Sequence, residues 1–320
     1  MDSNAKKQVD LLRQVRHALR ENRYQDAIRS LKETVKLAQE SGDPGAEGRH
    51  LGNLALIYHR LNQPERALQY FQQALDRARA DEDAATENGL LGNIGNVLRE
   101  MGRLDEAVNY LEQALHLAEE LDDLRGRGIW LSNLGLVYDD LDRPVDAVRL
   151  HTEAAAVARE MNDQRGLASR LGNLGNSYIT INNLEAALPP FGEAISILRE
   201  VGDQTELALR LGIMGNIHAE LGRRAAQNDP QGAQHYLAAA LNYYAETLEL
   251  AKAMQDQPSE AQLLRSIANV LVLVGRFDHA MQYYRAALAA FNALGMSREQ
   301  DETLASMRAV MAYRDNTGGD

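Results

Sequence analysis

The chain has 320 residues, 45% of them hydrophobic and 25% charged, with 46 acidic against 34 basic side chains and a formal charge of −12. A surface of that sign repels a phosphate backbone and counts against nucleic-acid binding. The absence of cysteine excludes disulfides, thiolate nucleophiles and Cys-ligated zinc.

The start, Met1-Asp-Ser-Asn-Ala-Lys-Lys, holds no apolar stretch of the kind a secretory signal needs, and no later run is long enough to span a bilayer. A cytoplasmic protein with no membrane partner is expected. Beyond residue 6 the sequence repeats itself. Leu51-Gly-Asn-Leu, Leu91-Gly-Asn-Ile, Leu131-Ser-Asn-Leu, Leu171-Gly-Asn-Leu and Leu211-Gly-Ile-Met recur every 40 residues, as do Ala27, Ala67, Ala107, Ala147 and Ala187. After Leu221 the register slips by 13 residues, then resumes with Ala240 and Ala280. Seven units follow: about 6–43, 44–83, 84–123, 124–163, 164–203, 204–256 with an insertion at 223–235, and 257–296.

Each unit reads as two helices. In the third, Leu91, Ile94, Gly95 and Leu98 lie on one face of the first helix, and Ala107, Leu111, Ala114 and Leu115 on one face of the second. Gly102 between them is placed for a left-handed cap, a position shared by Asn22, Asn62, Asp142, Asn182, Gly222 and Gly275. Pro64 and Pro144 follow in the first turn of the next helix. Asp43, Asp83, Asp123, Asp163, Asp203 and Asp256 stand where a helix N-cap belongs. Ala55, Gly95, Gly135, Gly175, Gly215 and Ala268 share one position on the first helix. Glycine inside a helix costs about 1 kcal/mol against alanine, so a close helix–helix approach is expected there.

The ends differ. In the first unit Gln14 replaces the usual aliphatic residue, as suits a face in water. Residues 298–313, after Gly295 and Ser297, read as a capping helix with Leu304, Met307 and Met311 as its apolar stripe, and 315–320 as a disordered tail. Within the insertion, Asn228-Asp229-Pro230 signals a turn. Either both helices lengthen there or a surface loop forms.

Chemistry-bearing patterns are missing. His17, His50, His59, His116, His151, His218, His235 and His279 show no metal spacing, Gly92-Asn-Ile-Gly95 lacks a full nucleotide-loop pattern, and no catalytic triad order occurs. No cofactor, metal or enzymatic activity is expected. Helix pairs stacked in an array curve, with first helices lining the inner surface. By helical phase Gly92, Asn96 and Arg99 project away from the core stripe. Asn96 aligns with Arg16, Leu56, Leu136, Asn176, Asn216 and Asn269; Arg99 with Leu19, His59, Asp139, Ile179, Ala219 and Val272; Gly92 with Gly52, Ser132, Gly172 and Gly212. Small residues beside amides would make an open groove, and asparagine can both donate to and accept from an extended peptide. A structural role for the Asn96 series is the alternative, as it is for Asn53, Asn93, Asn133 and Asn173 on another flank. Arg16, Arg20, Arg49, Arg60 and Arg99 precede Asp139, Asp140 and Glu220 along this face, so its N-terminal half is expected to favour acidic segments.

Leu174-Gly175, Tyr178, Ala187, Phe191 and Ala194 resemble the tetratricopeptide repeat signature. The 40-residue unit with Leu-Gly-Asn-Leu-Gly-Asn is similar to repeats of the Partner of Inscuteable/LGN adaptors and of kinesin light chains, over roughly residues 6–313. It departs from the usual 34-residue period, and six extra residues would lengthen both helices. The resemblance implies an all-α fold, a right-handed α-α superhelix of about seven helix pairs plus the capping helix, as a single solenoid over 1–314. It also implies a scaffold or adaptor whose concave groove holds an extended segment of a protein or peptide partner. Asn96, Asn176, Asn216 and Asn269 match the groove-facing asparagines by position, whereas Leu56 and Leu136 depart. With the charged residues Arg16, Arg49, Arg99 and Asp139, these make the candidate partner-binding set. The alternatives are a peptide- or ligand-controlled regulator and a scaffold that self-associates through its repeat ends.

Overall fold

Aspartate carboxylates start the first helices, as the spacing predicts. Asp43, Asp83, Asp123, Asp163, Asp203 and Asp256 each accept the backbone N–H three residues on, at 2.8 to 3.2 Å. This meets one of the donors that a helix leaves unpaired at its start. A left-handed residue stops most helices: Asn22, Asn62, Gly102, Asp142, Asn182 and Gly275 after first helices, and Gly42, Glu82, Asp122, Asn162, Gly202, Gln255 and Gly295 after second ones.

These signals set the helix lengths in the computed structural model, which describes residues 3–317. The described residues hold fifteen helices and no strand. They group into two compact units, Met1–Gly166 and Leu167–Asp320, where the sequence suggests one array over 1–314. The boundary falls in the first turn of a helix, because a repeat stack has only nearest-neighbour contacts and no linker is needed for such a division.

The first unit holds α1 (Ser3–Arg20), α2 (Tyr24–Ser41), α3 (Pro44–Arg60), α4 (Pro64–Ala80), α5 (Ala84–Glu100), α6 (Leu104–Glu120), α7 (Leu124–Asp140) and α8 (Pro144–Glu160). Each helix packs on the next, and the first helices α3, α5 and α7 also touch in sequence. The second unit takes nearly all of α9 (Gln164–Thr180), then α10 (Leu184–Val201), α11 (Gln204–Ala225), α12 (Pro230–Ala253), α13 (Gln257–Leu273), α14 (Phe277–Ala293) and α15 (Ser297–Thr317). Helices α3 to α9 are 17 residues each, which accounts for the long repeat.

The close approaches occur where expected. A Cβ on Gly95, Gly135, Gly175 or Gly215 would come within 2.5 to 2.6 Å of Leu111, His151, Phe191 or Tyr244 on the paired helix. Ala107, Ala147, Ala187, Ala240 and Ala280 are fully buried beside them. No described helix is long and apolar enough to cross a membrane.

One open choice is settled and two expectations change. The insertion forms no loop. It lengthens α11 to 22 residues and α12 to 24, and Asp229 caps the second by accepting from the Gly232 N–H at 2.9 Å. Gly222 therefore lies inside α11 and caps nothing; a Cβ there would meet Leu237 at 2.7 Å. The terminal helix starts at Ser297 and runs to Thr317, so 315–317 are helical, while 318–320 lie outside the described residues. Its inward face is Thr303, Met307 and Val310, whereas Met311 is exposed.

Candidate partner-binding cavities

In the first unit the predicted residues divide. Arg16 is exposed on α1, and Asn96 is half-buried on α5. Arg49 and Leu56 lie on α3 at a cavity of about 310 Å³. Its floor is Gly52, and its far wall is Thr86, Gly89, Leu90 and Asn93 of α5. Hydrogen bonds from the Thr86 hydroxyl and backbone hold the Asp83 carboxyl below its usual range, with a smaller pull from Arg49. Arg99 donates from Nε to Asp140 at 2.6 Å, and His59 meets Glu100 at 2.6 Å, one repeat earlier. The Arg60 guanidinium lies 5.4 Å from the Tyr24 ring centroid. Asp139 sits 3.3 Å from the buried His151. Much of the charge that would polarise this face is thus met inside the chain, although each exposed pair contributes only about 0–1 kcal/mol.

In the second unit Asn176 is exposed on α9. Asn216 on α11 accepts from the Tyr244 hydroxyl at 2.7 Å, and Asn269 on α13 from the Tyr284 hydroxyl at 2.6 Å. Burial pushes the Tyr244 phenol up to about 12, so it remains a donor. Asn216 borders a cavity of about 430 Å³ between α11, α12 and α13, with Leu209, Gly212, Met254, Gln262, Leu263 and Ser266. Asn269 borders another of about 330 Å³, closed on one side by Ser306, Val310 and Tyr313 of α15.

The cavities beside Arg49 and Asn216 occupy the same place in the repeat. Gly52, Phe71, Thr86, Gly89, Leu90 and Asn93 of one correspond to Gly212, Tyr244, Ser259, Gln262, Leu263 and Ser266 of the other. The sequence marks out the residues of one first helix but misses this opposite wall, contributed by the next. A signal was present: the position of Leu90 is Trp130, Arg170, Arg210 and Leu263 in later units, unusually variable for an array so regular.

The expected row of open small residues is corrected by the same comparison. The Trp130 ring lies on Gly92, where a Cβ would come within 2.1 Å of it. Trp130 donates from Nε1 to Asn88 at 2.9 Å, and Asn88 donates to the Ala114 carbonyl at 2.5 Å. The Arg210 guanidinium lies likewise on Gly172 and donates to Glu206 at 2.9 Å. Among the described residues no cluster of three or more His, Asp or Glu side chains could hold a metal ion.

Comparison with curated proteins finds no significant sequence match. Three solved structures share the fold. Aspartyl phosphate phosphatase F from Bacillus subtilis is 13% identical, with a TM-score of 0.62 over 90% of this chain and 71% of that one. The apo quorum sensor NprR from B. thuringiensis is 19% identical, with a TM-score of 0.58 over 90% and 77%. A kinesin light chain repeat protein from Podosopora anserina is 14% identical, with a TM-score of 0.53 over 63% and 99%. Residues 11–80 and 84–160 match one tetratricopeptide repeat family model and 167–201 a second, together more than half of the sequence. With its 17-residue helix pairs and glycine-mediated close packing, the chain belongs to the tetratricopeptide repeat family.

Proposed function

We propose that the protein is a non-enzymatic cytoplasmic scaffold that binds an extended segment of a protein partner along the first helices of its units. The Asn96 and Asn176 amides carry the reading: among the described residues neither makes a hydrogen bond with its side chain, whereas Asn216 and Asn269 at the same repeat position each accept one from a tyrosine. An amide left open on a helix face can pair with a peptide backbone through both its donor and its acceptor. Asn216 keeps its amide N–H groups for the same purpose, since Tyr244 occupies only its oxygen. Affinity capture from the source cell, comparing wild type with Asn96→Ala/Asn176→Ala/Asn216→Ala, tests this. Loss of the captured partner is expected; equal recovery would remove the reading.

A second reading is a regulator controlled by a small peptide. The fold shared with the quorum sensor supports it. Such a regulator would show a raised melting temperature with a short peptide alone. A scaffold requires the longer partner segment.

A further inference from the structure

The cavities between first helices form a series, and the residue that the next repeat lays over a fixed glycine decides each one. In the first unit Leu90 lies near Gly52 and Trp130 on Gly92; in the second, Arg210 lies on Gly172 and Leu263 borders the cavity floored by Gly212. A Cβ at Gly92 would meet the indole at 2.1 Å, and one at Gly172 the guanidinium at 2.6 Å. At Gly52 the nearest atom would be Leu90 Cδ2 at 3.5 Å, and at Gly212 Thr247 Cγ2 at 3.8 Å, both ordinary contacts. Packing within the chain therefore demands glycine most at 92, where an indole would have to move; at 172 only the end of a flexible arginine would, and at 52 and 212 nothing would. At these two positions the weaker helix former leaves a space that the chain itself does not fill.

We propose that the cavity over Gly212 is a socket for one large apolar side chain, of phenylalanine or leucine size, on an extended basic peptide. The proposal rests on the peptide-binding reading above. Size supports this occupant: about 430 Å³ accepts a ring together with part of its backbone. Trp130 shows that a flat ring lies well on a glycine at this register. Leu209 and Met254 flank the opening with 51% and 38% of their surface exposed, a cost in water that an apolar partner removes. Charge selects the neighbours of that side chain. Glu206 and Asp256 line the cavity and no Lys or Arg does. Glu206 shares its charge with Arg210, whereas Asp256 makes no ion pair among the described residues. A lysine or arginine beside the apolar residue meets that charge.

Fluorescein-labelled nine-residue peptides test the socket by anisotropy against the full chain. One guest position between two lysines in a serine background is Phe, Leu, Ala or Glu. Phe or Leu is expected to bind about tenfold tighter than Ala. Gly212→Leu supplies the missing plug. Leucine favours helix over glycine, so the melting temperature should hold while the guest preference disappears. Glutamates in place of the lysines should weaken binding. Peptides that bind without guest preference yet fail on Asn216→Ala would overturn the socket and leave the groove standing. Guest preference retained in Gly212→Leu would overturn it too. If no peptide binds, the socket is wrong, and partner capture decides the groove independently.

Discussion

The Tyr244 hydroxyl donates to Oδ1 of Asn216 across 2.7 Å, tying the second helix of the sixth repeat to the exposed face of its first. Tyr244→Phe removes the bond without changing the ring. Because Asn216 is exposed and water can replace the donor, the loss at neutral pH is expected to be about 0.5–1.5 kcal/mol. The difference between the two proteins shrinks in alkali. Burial raises the phenol from its ordinary 10.0 to about 12, so the unfolded chain releases this proton first. Stability is fully present below about pH 10 and is lost as pH rises towards 12. Urea midpoints at pH 8 and pH 11 should fall less for Tyr244→Phe than for wild type; Tyr284, shifted in the same direction, keeps some slope in both. Parallel slopes would refute the assignment.

Gly92 and Gly52 occupy the same repeat position, yet alanine should have opposite effects there. At Gly92 the new methyl displaces Trp130 and strains its bond to Asn88, which is expected to cost about 1–3 kcal/mol despite better helix propensity. At Gly52 the nearest atom is at 3.5 Å, so alanine should stabilise by up to about 1 kcal/mol. Equilibrium unfolding of the two variants settles the comparison, and effects of the same sign would contradict it.

Much of this was legible in the sequence because it depends on local chemistry. Aspartate N-caps, left-handed Asn62 and Gly102, and the small residue at Gly95 follow from spacing, and the structure places each as expected. What failed depended on neighbours in space. Helical phase puts Gly92 off the core stripe of its own helix, but it cannot show that Trp130, 38 positions later, covers it. Arg99 likewise reads as a free cation until Asp140 of the next first helix is placed beside it. Gly222 resembles a cap because its register matches Gly102, yet the insertion carries the helix through it.

Glu82 gives a simple check on the backbone. It holds φ of +52°, at a repeat position where Gly42 and Gly202 also occur. A side chain in this region costs about 1 kcal/mol, which glycine avoids. Glu82→Gly should raise the melting temperature, while Glu82→Ala, which keeps the Cβ, should not. Equal effects would trace any gain to lost charge rather than to backbone strain.

Acid sensitivity should centre on buried histidine. His50 is buried on α3, its Nε2 lies 3.1 Å from the Gln8 amide nitrogen, and its Nδ1 has no hydrogen-bond partner. Burial, reinforced by Arg49 and opposed by Asp43, lowers its pKa from the ordinary 6.5. The unfolded chain then takes up a proton near pH 6.5 that the folded chain refuses. The contribution to stability is complete above that pH and is lost as pH falls through the lower folded value, by at most about 1.4 kcal/mol per pH unit. His218, lowered by burial in the same way, adds a second loss of the same sign. His50→Leu copies Leu90 of the next repeat and removes both the titration and the unmet nitrogen. Between pH 7.5 and pH 5.5 its urea midpoint should fall less than that of wild type. An unchanged difference between the two proteins across that range would show that His50 is not the group protonated on acid unfolding.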